Sequence, residues 1–383
     1  MRIVIAMDSF KGSISSIEAG NVLKKAILDK YPDDIVRVFP LADGGEGTVD
    51  ALAQGLHGSI VPVVVTGPLG TPIKSRFGYL PQTKTAVIEM ADASGLPLVP
   101  RDRRNPLRTT TYGLGELIRA ALDKGCRHFI MGLGGSATND CGLGMLTALG
   151  FRFLTERGEE AGIMGGDLAS VAGIDMSGAD ARLSECRFDI ACDVRNPLVG
   201  PQGCSAVFGP QKGATPVIVK RMDSDIDRFA KLAEEIMGRE GRAMPGTGAA
   251  GGLGFAFRVF LGGVLTPGSS LILEAIGIKT ALKVANVLIT GEGRMDAQSA
   301  MGKAPVAVAQ LAKSCQKDCL TIALCGAAAR DAENVNQHGI DAYFPILHAP
   351  MPVEEAMERT VTEVNLRQTA QQIFSLLHRA LDE

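Results

Sequence analysis

The apolar run Ile3-Val4-Ile5-Ala6-Met7 is continuous, as a strand buried on both faces requires, and it stops abruptly at Asp8. Behind it, Ser15-Ser16-Ile17-Glu18 carries the capping-box pattern that opens a helix. A second apolar run over residues 36–40 leads into Ala42-Asp43-Gly44-Gly45-Glu46-Gly47-Thr48, with a helix expected at 48–55. The opening 58 residues therefore predict two consecutive strand–helix units of a parallel sheet.

The rhythm changes over residues 59–105. Alternating Val, Ile and Thr, punctuated by Gly67-Pro68, Gly70-Thr71-Pro72 and Gly95-Leu96-Pro97, predict antiparallel ribbons. From Tyr112 onward, Leu114, Leu117, Ile118, Ala121 and Leu122 recur at helical spacing, followed by an apolar strand over 128–132. The loop Gly134-Gly135-Ser136-Ala137-Thr138 comes next, read as the start of a helix, with Asn139 and Asp140 within one turn. Residues 160–215 are irregular and contain an apolar run that ends in Asp193, then Phe208-Gly209-Pro210-Gln211-Lys212-Gly213. A charged helix is expected over 217–238 and a glycine-dense loop over 244–254.

Strand, loop and helix alternate again from residue 284. A strand over 287–290 precedes the loop Gly291-Glu292-Gly293-Arg294-Met295-Asp296, another follows at 320–324, and a helix closes the chain at 363–381. The two ends share a style that the middle lacks. The expectation is an α/β protein whose parallel-sheet domain combines residues 1–60 and 285–383, with a mixed-sheet α/β domain inserted at 61–284 and the active site in the crevice between them.

Length agrees with two domains, because 383 residues exceed one ordinary hydrophobic core. A net charge of −3 with 5% aromatics gives no electrostatic footprint for nucleic acid or anionic lipid, so a small-molecule partner is expected. Eight cysteines without CxxC spacing read as reduced core thiols. No apolar stretch is long enough to span a membrane and Asp8 interrupts the first one too early for a signal segment, so a cytoplasmic monomer or homodimer is expected.

The chemistry concentrates in acids set among glycines. Glycine lets backbone amides approach an anion closely, while a carboxylate holds a cation or accepts a proton. Walker A spacing, a GxGxxG at the first strand, HExxH and Gly-x-Ser-x-Gly are all missing. All five histidines, His57, His128, His338, His348 and His378, lie outside the glycine loops. Carboxylates, lysines and amides remain, an inventory that suits phosphoryl transfer. A nucleotide- or carboxylate-binding regulator could use the same loops without turnover, and a metal phosphatase would also want clustered acids.

Six ordered motifs, from Ala6-Met7-Asp8-Ser9-Phe10-Lys11 and the Asp43 loop, through Gly134-Gly135-Ser136-Ala137-Thr138, Ala191-Cys192-Asp193-Val194 and Phe208–Ala214, to Gly291–Asp296, resemble those of the bacterial type I glycerate kinases. The resemblance spans residues 2 to about 345. It implies a flavodoxin-like domain with an inserted second domain, and ATP-dependent phosphorylation of glycerate at the 2-hydroxyl with Mg²⁺, giving 2-phosphoglycerate. Asp43 or Asp193 is then the expected proton acceptor, with Lys11 and Lys212 neutralising developing charge. Asp8 and Asp296 are expected to hold the metal, and Asp8, Ser9, Glu46 and Arg294 the acceptor substrate. Gly134, Gly135, Ser136, Thr138, Gly291, Glu292 and Gly293 are expected at the nucleotide. Met7 departs from the proline, and Cys141 from the glycine, that members of that family carry there.

Overall fold

The computed structural model describes residues 1–381. Its strands are β1 (Arg2–Met7), β2 (Ile35–Pro40), β3 (Ser59–Thr66), β4 (Pro72–Leu80), β5 (Thr85–Glu89) and β6 (His128–Gly132). After these come β7 (Arg152–Leu154), β8 (Gly173–Asp175), β9 (Arg187–Ala191), β10 (Val264–Thr266), β11 (Val287–Met295), β12 (Leu320–Ala328) and β13 (Ala342–Pro345). Two compact units account for the chain: Met1–Asp43 with Asp50–Leu56 and Ser269–Glu383, and Gly44–Val49 with His57–Gly268.

The first unit is built on a five-stranded sheet in the order β13-β12-β11-β1-β2, every pair of which is parallel. Read from the other edge, this is the 2-1-3-4-5 order of flavodoxin-like folds, with the switch in direction between β1 and β11. Ile3, Ile5 and Met7 are buried in its core together with Ile289, Ile322 and Phe374. The expected capping box is present: Ser15 Oγ accepts from the Glu18 N–H while the Glu18 carboxylate accepts from the Ser15 N–H at 3.1 Å, starting the helix Ser16–Leu28.

The contact boundary at Gly268/Ser269 lies earlier than residue 284, because the helix Lys279–Leu282 packs on Ala304–Cys315 of the first unit. Intervening apolar residues such as Ile272 and Ile278 are buried, and their lack of a strand-like rhythm concealed this affiliation from the sequence.

The second unit carries a six-stranded mixed sheet, β10-β9-β6-β5-β4-β3, in which β3, β4 and β5 are antiparallel neighbours and the remaining pairs are parallel. Its core includes Phe77, Phe129 and Phe188, with the last two rings stacked at 4.7 Å. The helix Tyr112–Asp123 falls where its periodicity predicts. Residues 244–254 differ from the expected loop: the helix Ala249–Leu261 claims their second half, with left-handed Ala250, Gly251 and Gly252 kinking its first turn.

Candidate active site

In the first unit, the Asp8 N–H donates to the Gly291 carbonyl at 2.8 Å, one step beyond the β1–β11 ladder in which Met7 is paired with Gly291. That register brings Asp8 beside Glu292 at the carboxyl end of β1, where the sheet order switches, the edge at which open α/β sheets bind ligands. Gly291, Glu292 and Gly293 are strand residues, contrary to the loop expected: β11 remains paired with β12 as far as Met295 and Ala328. A Cβ at Gly291 would overlap the Leu324 carbonyl oxygen, so this glycine permits close approach of two strands instead of turning the chain.

A cavity of ≈ 500 Å³ opens at this edge, lined by residues of the first unit. Asp8, Asp43 and Glu292 contribute three carboxylates to its wall, and Lys11, Arg294 and Lys303 three cations. Burial, reinforced by repulsion from Asp43 and Glu292, pushes the Asp8 carboxyl up to about 7, against the opposing Ser9 N–H bond at 2.7 Å and the Lys11 charge. Burial likewise raises Glu292, which is only 7% exposed and whose Oε1 has no hydrogen-bond partner. Carboxylates that burial and mutual repulsion bias toward protonation are suited to a hard divalent cation, which would relieve both. No group of three or more His, Cys, Asp or Glu side chains is arranged to hold a metal by itself among the described residues. Asp296 is outside the cavity lining; its Oδ1 accepts from the Gln298 N–H at 2.9 Å, and Arg294 lies 3.8 Å from its other oxygen.

The second unit holds a separate polar cluster. Buried Lys212 donates through Nζ to the Thr138 carbonyl at 2.6 Å and to Ser136 Oγ at 3.2 Å, and burial lowers its ammonium to about 8. Asp140 is fully buried and accepts from the Thr111 N–H at 2.8 Å and Thr111 Oγ1 at 2.7 Å, so it ties two loops together. Gly134 and Gly135 are exposed, but the next helix starts only at Leu143, because Ser136 is drawn into a bridge with Gly95. The expected helix-dipole contribution at Gly134 is therefore missing, although the residue itself is exposed. Asp193 is exposed and accepts from the Gly268 N–H at 2.8 Å, while Glu46 is exposed in the turn before the helix Thr48–Gly55. Cys141 has φ +49°, a left-handed conformation that costs a cysteine more than a glycine.

The sequence model described as the glycerate kinase family matches residues 3–378. The chain belongs to the glycerate kinase family. It is 48% identical over 371 residues to the glycerate kinase of Bacillus subtilis strain 168, covering 95% of this chain and 97% of that one. It is 44% identical over 356 residues to the glycerate 2-kinase of Escherichia coli strain K12, covering 93% of each chain. A crystal structure from Salmonella typhimurium LT2, assigned as glycerate kinase 2, superposes with a TM-score of 0.92 at 43% identity and 100% coverage of both chains.

In this glycerate kinase family member, Asp8, Ser9, Lys11 and Asp43 share one cavity with Gly293, Glu292 and Arg294, whereas Lys212, Ser136 and Thr138 bond to one another in the other unit. Sequence reasoning missed the cavity's apolar side, formed by Phe10, Ile346, Leu347, Met351, Val353 and Met357. Its signal was faint, since Met351-Pro352-Val353 has neither strand nor helix periodicity. It also missed Glu89, buried at the end of β5 and accepting from the Val49 N–H at 2.8 Å; an acid closing an apolar strand, the clue used for Asp193, would have found it.

Proposed function

We propose that this chain transfers the γ-phosphoryl group of ATP to the 2-hydroxyl of glycerate, giving 2-phosphoglycerate and ADP. Family membership supports the substrate class, and the Escherichia coli relative named glycerate 2-kinase supports the regiochemistry. The observation that carries the mechanism is the cavity at the switch point, where three carboxylates meet lysine and arginine.

Asp43 takes the hydroxyl proton as the substrate oxygen bonds to the γ-phosphorus in line with the departing ADP oxygen. Lys11 and Lys303, in the same lining, balance charge on the phosphates. Arg294, with its side chain 73% exposed, is placed to clasp the glycerate carboxylate through two parallel hydrogen bonds. Mg²⁺ entering with ATP would be held by Asp8 and Glu292 and would neutralise phosphate charge.

A coupled assay of ADP release, with phosphorus NMR of the product, tests the reading. Release should require both glycerate and Mg²⁺, and Asp43→Asn should lower kcat by about a hundredfold or more. Glycerate-independent ADP release would overturn the activity, a 3-phosphoglycerate signal the regiochemistry, and near-normal turnover of Asp43→Asn the role of that acid.

A further inference from the structure

We infer that the apolar wall formed by Ile346, Leu347, Met351, Val353 and Met357 receives the heterocyclic base of the nucleotide, so that the whole co-substrate lies along this one cavity of the first unit. The inference rests on the kinase reading above and adds the place at which the base is held.

Size and polarity point to this occupant. Every carbon of glycerate carries oxygen, and the molecule would fill only about a fifth of a cavity of ≈ 500 Å³. It has no use for a wall of thioether and branched aliphatic side chains. A purine does: it is flat and apolar on its faces, and methionine adapts its shape and places polarisable sulfur against aromatic rings. Two of these side chains also stand open to water, Val353 at 67% and Met357 at 41% exposure, an arrangement that leaves apolar surface uncovered until a ligand lies on it.

The wall is tied to the loop that carries the polar end. Ser13 Oγ and Thr362 Oγ1 are 2.7 Å apart, which ties the segment after the short helix Val353–Ala356 to the Asp8–Ser15 turn, and Arg359 pairs at 3.0 Å with Glu18 in the helix that follows the turn. Gly12, with φ +79°, lies against the tip of the Met357 side chain, whose Cε is 2.7 Å from where a Cβ would stand. Base and phosphate ends are therefore positioned by one piece of structure, with Lys11 in the turn and Lys303 in the same lining supplying charge for phosphate. At the acidic end, buried Glu292 has an oxygen without a partner and lines the same space, which a cation bound to that phosphate would engage.

The test uses Val353→Glu and Met357→Glu in the full chain, with thermal melts to show that both variants fold. Val353 is the safer of the two because it is mostly exposed. The expected result is a KM for ATP raised about tenfold or more, with kcat and the KM for glycerate within about twofold of wild type. Calorimetry with ADP and MgCl₂, in the absence of glycerate, should show the same loss of affinity. Folded variants with wild-type ATP kinetics and ADP affinity would overturn the inference, as would a rise confined to the KM for glycerate. The two readings fail separately. A wild-type protein that binds ADP but does not phosphorylate glycerate, and loses that binding in the variants, would sink the activity and support the base site. Normal wild-type turnover with unaffected variants would sink the base site alone.

Discussion

Replacing Asp8 with Asn should stabilise the unliganded protein, increasingly so as pH rises. Asp8 titrates at about 7 in the folded chain against an ordinary 3.8, so between those values the native state retains a proton that the unfolded state has released. The unfolded state then binds fewer protons, and wild-type stability must fall with rising pH through that window, the whole interval being worth about 4 kcal/mol. Asp8 is only half-buried and faces a cavity that water enters, so between about pH 5 and about pH 8 screening leaves roughly 1–2 kcal/mol. Asparagine keeps the shape and has no charge to lose, so the advantage of Asp8→Asn should be about 1–2 kcal/mol larger near pH 8 than near pH 5. Urea unfolding followed by circular dichroism is the suitable assay, since the chain has no tryptophan, with reductant present for its eight cysteines. A variant no more stable than wild type near pH 8, or a difference that ignores pH, would refute the claim that Asp8 is held against its charge.

Two further outcomes are expected. Gly291→Ala, which drives a methyl into the Leu324 carbonyl oxygen, should cost about 3 kcal/mol, whereas Gly302→Ala, with φ +96° but open space around it, should cost about 1 kcal/mol; equal losses in thermal melts would deny the strand-approach argument. Lys212→Met, which strips the buried Thr138 carbonyl and Ser136 Oγ of their shared donor, should cost about 2 kcal/mol near pH 7. Because the folded ammonium is lowered from 10.5 to about 8, the unfolded state binds more protons between those values, so wild-type stability should rise with pH there relative to the methionine variant, which denaturation at two alkaline pH values would check.

Those elements whose residues speak for themselves were legible from the chain alone. The unbroken apolar run of β1, the Ser15–Glu18 cap and the helical spacing from Tyr112 each depend on local chemistry, and each stands where that chemistry indicates. The failures are tertiary. Gly291 and Gly293 carry the composition of a turn, yet they extend β11, because pairing with β12 outweighs their loop preference. Ser136 was expected to open a helix, but it bridges to Gly95, and no local pattern announces a partner so far away. Asp8, Lys11, Asp43 and Glu292 were all candidates on residue type and their common cavity joins them, while its apolar lining escaped notice because each of those residues is ordinary in isolation.

The order of strands in the first sheet bears on how the polypeptide matures on the ribosome. β1 is made long before β11, its neighbour in the finished sheet, which begins only at Val287. At about 5–20 residues per second the amino-terminal segment spends on the order of tens of seconds without that neighbour, while most of the second unit, His57–Gly268, is complete and able to condense first. The half that bears Asp8 and Asp43 is thus the last to be assembled, and a nascent chain released before β11 and β12 have emerged would lack both Glu292 and the strand that sets it beside Asp8.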